Sequence, residues 1–212
     1  MIPGFEIRRA TPEDAPALAL VNCIAFDKSN IMWKQLFKDV DQDDVIELVI
    51  GLIRKRMADG NVTFHVAVEK ETNTIVGGGG LAVPMKKPDT QFKPKMPAKV
   101  NEKLAAHFFN NVLTSSKSQG YDPEKHCHRV GAFVLPEYQR KGLGSALTRE
   151  GNAIADDAGA PTYVVTYDAA VRMFEGSGFV QLGHLDTDLE EFGGLPNVTS
   201  RTYALVRETP SS

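Results

Sequence analysis

Cysteine is nearly absent from this 212-residue chain. The two present, Cys23 and Cys127, stand far apart and make no staple pattern, which excludes a disulfide scaffold and suits a reducing, cytoplasmic setting. Charge of one sign is lacking as well. The net charge of −3 leaves no electrostatic reason to expect nucleic acid or an anionic membrane as a partner. No run approaches the roughly 20 apolar residues that span a bilayer. The opening Met1-Ile2-Pro3-Gly4-Phe5-Glu6 lacks the basic and then apolar course of a secretory signal. Internal repeats and low-complexity tracts are missing too. What the chain does have is 42% hydrophobic residues, enough for one large core and, by default, one domain over 1–212.

Patterning along the chain orders the elements. Residues 5–10 read as a strand. Thr11-Pro12-Glu13-Asp14 combines a capping residue, a proline at the first helical position and a carboxylate that closes a capping box. The helix it starts places Leu18, Val21 and Ala25 on one stripe. A second helix is expected over 43–59, with Val45, Leu48, Val49, Leu52, Ile53 and Met57 at helical spacing and Gly60 as its stop. Strands are expected over 63–69 and 74–83, parted by a polar turn at Glu71-Thr72-Asn73. The glycines 77–80 inside the second strand suggest a bulge or bend. Residues 84–99 are rich in Pro and Lys (Lys87, Pro88, Lys93 and Pro94 among them) and read as a solvated basic loop. That loop leads to an inserted helix over 100–116. A strand over 126–135, a helix over 142–158, a strand over 162–167, a helix over 168–177 and strands near 179–184 and 201–207 complete the order. Strand and helix alternation that ends in a strand pair implies a mixed α/β sheet.

The most informative stretch is Val134-Leu135-Pro136-Glu137-Tyr138-Gln139-Arg140-Lys141-Gly142-Leu143-Gly144-Ser145-Ala146. An apolar strand ends at a proline, a basic turn follows, and two glycines open an amphipathic helix. The first turn of a helix carries N–H groups without partners and the positive end of the macrodipole, so it suits an anion. Gly142 and Gly144 remove Cβ atoms that would hold a phosphate away from those amides, and Arg140 and Lys141 add charge. A P-loop is excluded because Gly-x-x-x-x-Gly-Lys followed by Ser or Thr is absent. A dinucleotide fingerprint is excluded because its third glycine position holds Leu147.

What remains, Gln-x-x-Gly-x-Gly preceded by Val-x-Pro-Glu, resembles the pyrophosphate loop of the GCN5-related N-acetyltransferase (GNAT) superfamily. A second match stands at the family's distance. After Tyr163-Val164-Val165-Thr166-Tyr167 come Ala170, Phe174, Gly178 and Phe179, similar to the family's Asn-x-x-Ala-x-x-x-Tyr-x-x-x-Gly-Phe. Tyr167 stands where that pattern has asparagine, and Phe174 where it has tyrosine. The chain's proportions are similar to those of puromycin N-acetyltransferase-like small-molecule enzymes. The resemblance implies an α/β (α+β) fold, with a central mixed, mostly antiparallel twisted sheet and helices on both faces. It implies acetyl-CoA as co-substrate and no metal. Gln139, Arg140, Lys141, Gly142, Leu143, Gly144 and Ser145 would take the pyrophosphate. The main chain of Ala132, Phe133 and Val134 would orient the thioester, with Ala170 and Phe174 along the cofactor arm.

Acetyl transfer to an amine needs a base for the amine proton and an exit for the thiolate. Strand alternation places His126, His128, Val130, Ala132 and Val134 on one face and Cys127 on the other. His128 occupies the position at which several family members carry a glutamate or histidine base, and an ordinary imidazole pKa near 6.5 suits the task. His126 is the second candidate. Alternation prevents His126, Cys127 and His128 from meeting one ion. His65 and His107 lie among apolar residues and read as packing, and His184 has no assigned role. Phe174 has no proton to give, so the acid role is open to Tyr167, Ser177 or water; a thiol pKa near 8.5 already makes the thiolate a tolerable leaving group. Asp186, Asp188, Glu190 and Glu191 are expected in a solvated acidic loop between the last two strands.

The expectation is an acetyl-CoA-dependent N-acetyltransferase acting on a small-molecule amine by direct attack in a ternary complex. The insertion at 84–125 is long enough to wall off an open groove. Two alternatives stand beside it: a protein or peptide N-acetyltransferase of the same superfamily, and an acyl-CoA-binding module with little turnover. A second copy of the chain, as a homodimer, completes the set of partners considered.

Overall fold

In the computed structural model, residues 2–86 and 95–209 are described, with 111–115 described by their backbone alone. Lys87, Pro88, Lys93 and Pro94 of the basic loop lie outside the described residues.

Thr11 opens the first helical segment as its pattern predicts. Its N–H donates to Asp14 Oδ2 (2.8 Å), and a short 3-10 turn at Pro12–Asp14 runs into α1, Ala15–Ser29. A helix absent from the sequence reading follows, α2 at Ile31–Leu36, capped by the Asn30 side chain, which accepts from the Trp33 N–H (3.0 Å). α3 spans Gln42–Ala58, and α4, Glu102–Ser118, fills the insertion. α5 is Leu143–Asp157 and α6 is Asp168–Glu175. The strands are β1 (Phe5–Arg9), β2 (Val62–Glu69), β3 (Thr74–Ala82), β4 (Cys127–Val134), β5 (Thr162–Tyr167), β6 (Val180–Asp188) and β7 (Thr199–Arg207).

They form one seven-stranded sheet in the order β1-β2-β3-β4-β5-β7-β6. Every pairing is antiparallel except β4 with β5. Apolar residues of α1 to α4, Leu18, Trp33, Val49 and Phe108 among them, pack with Phe64, Val66, Val68 and Phe133 on one face. On the other face, Leu143 and Leu147 of α5 meet Ala67, Val76 and Val134. There too, Phe174 of α6 meets Val164 and Leu205.

The glycines 77–80 serve close approach. A Cβ at Gly78 would stand 2.2 Å from Leu18 Cδ2, and one at Gly80 would stand 2.8 Å from the Phe64 ring. The expected irregularities flank them. The β2–β3 register shifts between Ala67 and Val68, and the β3–β4 register between Gly79 and Leu81.

The acidic residues between the last strands divide differently from expectation. Asp186 and Asp188 belong to β6 itself, and Asp186 grips Arg201 of β7 through two bonds of 2.6 and 2.7 Å. Glu190 and Glu191 sit in a 3-10 turn after the strand.

Candidate active site

The second register shift rearranges the site. Leu81 pairs with Arg129 and Gly79 with Ala132, so Val130 and Gly131 together oppose Gly80. Gly131 takes φ +85, the conformation such a bulge requires. One extra residue reverses the alternation beyond it. The expectation that His128, Val130, Ala132 and Val134 share a face is therefore corrected. Val130 and Phe133 pack on the α1–α4 side, whereas Cys127, Ala132 and Val134 join clusters on the α5–α6 side. His128, one residue from Cys127, faces α4, where its Nε2 lies 3.2 Å from Ser116 Oγ. His126 precedes the strand and accepts from the Asp122 N–H at Nδ1 (3.0 Å).

β4 and β5 are registered only at Cys127–Thr162 and His128–Tyr163. Beyond that pair β4 continues to Val134 and β5 to Tyr167 with no further registered partners between them. β5 instead keeps full register with β7 as far as Tyr167–Thr202. The parallel pair, the only one among the described residues, thus opens toward its carboxyl ends, the place where open α/β sheets take ligands.

The glycine loop lies at that opening. A 3-10 turn at Pro136–Tyr138 is tied down by the Leu135 N–H to the Val76 carbonyl (2.9 Å) and by Gln139 Nε2 to the Val134 carbonyl (3.0 Å). Gln139 therefore closes the loop on itself. Arg140 (φ +63) and Gly142 (φ +84) both take left-handed conformations around Lys141. Such alternation turns successive N–H groups toward one concavity, a form that binds anions. Among the described residues, no main-chain carbonyl accepts from the amides of 140–145. The first such bond is Ala146 N–H to the Gly142 carbonyl, 3.0 Å. Arg140, Lys141 and Ser145 are exposed, while Leu143 is buried under the loop. Lys141 Nζ stands 4.8 Å from the centre of the Tyr138 ring, and Tyr138 Oη donates to Glu69 (3.1 Å).

The two glycines have different work. At Gly142 a Cβ would make ordinary contact with Ile2 Cδ1 (3.7 Å), but the residue requires a positive φ; at Gly144, a Cβ would stand 2.8 Å from Met173 Sδ of α6. Gly144 therefore also serves the packing of α5 against α6. Phe174 is likewise a packing residue. It is 2% exposed, packed against Phe179, Val164 and Leu205, with ring centres of Phe174 and Phe179 5.2 Å apart. Ala170 and Ala132 lie against this cluster, so Phe174 seats α6 on the sheet.

Burial tunes the titratable candidates. Desolvation pushes the His128 imidazole down to about 4, Arg56 presses the same way, and a backbone contact at Arg129 opposes them. The ordinary value assumed from sequence is corrected accordingly. Burial raises the Tyr167 phenol to about 12, with Asn30 pulling it back, and its ring meets Phe26 at 6.4 Å. His107, read as packing, joins α4 to β6 through Thr187 Oγ1 (2.8 Å) and rests against the Phe192 ring.

Two residues escaped the sequence reading. Arg129 is 3% exposed with its Nε unpartnered and one long bond from its guanidinium to the Leu147 carbonyl (3.5 Å). A Cβ at Gly151 would stand 1.6 Å from Arg129 Nη1, so α5 carries a glycine where the guanidinium lies. A glycine inside so amphipathic a helix is a legible signal of close packing. Ser116, the partner of His128, carries no such signal.

The profile of the acetyltransferase (GNAT) family matches residues 29–179. No curated protein sequence shows significant similarity to the chain. Among solved structures, a putative arylalkylamine N-acetyltransferase of the yellow fever mosquito superposes with TM-score 0.69 at 14% identity, covering 95% of this chain and 86% of that one. A putative acetyltransferase from Salmonella typhimurium, solved with its cofactor acetyl-CoA, gives 0.62 at 14% identity over 99% and 96%. The C-terminal condensation domain of Ebony in complex with beta-alanyl-dopamine gives 0.69 at 14% identity over 99% and 100%. At such identities these likenesses speak to the fold.

Proposed function

The chain belongs to the acetyltransferase (GNAT) family, whose co-substrate is acetyl-CoA, and we propose that it acetylates the primary amine of a small molecule. The observation that carries this reading is the meeting of two features: the unregistered ends of β4 and β5, and the unpartnered amides of 140–145. Acetyl-CoA supplies an activated thioester, which the amine attacks directly in a ternary complex. The loop amides, with the charges of Arg140 and Lys141, bind the pyrophosphate; the free main-chain edge of β4 at Ala132, Phe133 and Val134 orients the arm between the strands. His128 accepts the amine proton and Tyr167, protonated up to about pH 12, returns one to the sulfur.

The small-molecule choice rests on how the acceptor face is bounded. Asn101 Nδ2 donates to the Phe192 carbonyl (2.7 Å), Lys103 Nζ to the Glu191 carbonyl (2.8 Å), and His107 meets Thr187. These bonds fasten α4 to the segment around β6 and support an enclosed site in place of a long peptide groove. Phe26, Trp33 and Tyr167 gather near the end of β5, with Phe26–Trp33 ring centres 5.3 Å apart, which favours an amine on an apolar or aromatic body. The mosquito and Ebony neighbours carry arylalkylamine and dopamine-derived names. We take 1–212 as one acetyltransferase domain with 84–125 as its insertion. The buried unpaired cysteines fit a cytoplasmic setting.

Thiol release from acetyl-CoA over a panel of alkyl and arylalkyl amines, with peptides as competitors, tests this reading. Turnover on small amines that peptides do not inhibit is expected. Turnover on peptides alone would select the protein-acetylating alternative, and tight coenzyme A binding without thiol release on any amine would make the chain a binding module.

A further inference from the structure

The sheet has two edges, and they are guarded differently. An open strand edge invites pairing, and proteins blunt it with charges or proline. β1 carries Glu6, Arg8 and Arg9 within five residues. β6, at the opposite edge, holds neither lysine nor proline over Val180–Asp188, and of its two carboxylates Asp186 is paired with Arg201 and Asp188 stands at the strand's end. Among the described residues, three of the five exposed large apolar side chains lie in it: Val180 at 66%, and Leu182 and Leu185 at 38% each. Beside Leu185, a depression of about 250 Å³ is floored by Gly183, Thr202 and Ala204 and walled by Ser118 and Gln119 at the end of α4.

We propose that two copies of the chain join through β6, antiparallel, about a two-fold axis perpendicular to the sheet that passes midway between the two copies of Leu185. Such an axis leaves each residue on its own face, and opposed residues in a ladder share a face. The axis must therefore set one residue against its own copy. An axis at Gly183 runs into the bulge at Leu182, where the β6–β7 register shifts. His184 or Asp186 at the axis would set imidazole against imidazole or carboxylate against carboxylate, and Thr187 would set Asp186 against Asp188, all unfavourable cross-strand pairs. With Leu185 at the axis, leucine meets leucine, Gly183 meets Thr187, and His184 meets Asp186 twice. His184 and Asp186 flank Leu185 symmetrically, so the strand is complementary to itself, and this selects a second copy as the occupant. The partner's Leu185 then comes to rest at the depression beside α4. This inference stands apart from the acetyl-transfer reading.

Single cysteines read the register directly. The native Cys23 and Cys127 are buried and stay silent. Residues opposed to themselves have Cα atoms about 4.5–5.5 Å apart, within disulfide range. Leu185→Cys, oxidised with copper phenanthroline, should form a covalent dimer. His184→Cys and Asp186→Cys should each fail alone and cross-link when mixed. In sedimentation the wild-type chain should be a dimer, and Leu185→Lys, with native circular dichroism, should weaken association at least about tenfold by opposing two ammonium groups. A monomeric wild type at the highest soluble concentration would overturn the proposal. So would a dimer indifferent to Leu185→Lys, or cross-linking of His184→Cys alone.

Discussion

Substitution at Gly142 separates a demand for backbone conformation from a demand for space. The residue takes φ +84, and the nearest atom to an added Cβ is Ile2 Cδ1 at 3.7 Å. A side chain here therefore meets no obstacle and only the dihedral resists it. For alanine the left-handed region costs about 1–2 kcal/mol, asparagine tolerates it, and a β-branched residue there is a genuine outlier. A loop that relaxes to negative φ turns its amides out of the concavity. Charge-assisted hydrogen bonds contribute about 1.5–3 kcal/mol each, so misdirecting two of them should weaken coenzyme A binding by more than about tenfold. Calorimetry with coenzyme A should rank Gly142→Asn near wild type, Gly142→Ala weaker and Gly142→Val weakest. Equal affinity in all three variants would refute the amide cradle. An asparagine variant as weak as the valine one would refute the conformational argument. Gly144→Ala is the matched control: its Cβ meets only the flexible end of Met173, and a shift of that side chain should preserve most of the affinity.

Arg129 and Gly151 should be strongly coupled. Gly151→Ala alone should cost about 1–3 kcal/mol by overpacking, whereas Arg129→Met should be neutral or stabilising because it removes a buried, poorly partnered cation. The double variant should recover the single loss, and additive denaturation energies would contradict the contact. For His128, the native value of about 4 lies below the unfolded value near 6.5. Between those limits the unfolded chain binds a proton that the native chain refuses, so stability rises with pH through this window and is lost on acidification, by about 3 kcal/mol in all. His128→Gln should flatten that slope, and an unchanged slope would place the acid sensitivity elsewhere. The same neutrality predicts that turnover near pH 7 follows the ionisation of the amine; a base with so low a pKa takes the proton only once attack has begun, so His128→Ala should lower turnover by about tenfold or more while leaving coenzyme A affinity intact. Phe174→Tyr should be slower or neutral and less stable by about 1–3 kcal/mol, since its hydroxyl enters a buried apolar cluster; a tenfold acceleration would show that a missing acid limits the wild-type enzyme.

Local pattern was enough for most elements and for the glycine turn that opens α5. The run from Val134 to Ala146 states its own conformation because proline, glycine and the helix start act over a few residues. The capping box at Thr11 and the amphipathic stripes of α3 and α5 are equally local. Even the family resemblance rests on two short spacings. What escaped is non-local. One bulged residue at Val130–Gly131 reversed the faces beyond it, and no periodicity within β4 announces a mismatch with β3. The low pKa of His128 and the burial of Phe174 arise from elements distant in sequence that close over them. The separate duties of Gly142 and Gly144 depend on whether Met173 of another helix stands behind the missing Cβ. Sequence determined most of the strands and helices and the glycine turn before α5, because hydrogen bonding and hydrophobic period are written in neighbouring residues. Only the tertiary structure decided which side chains face the opening between β4 and β5, because register and burial are settled by contacts among strands and helices far apart along the chain.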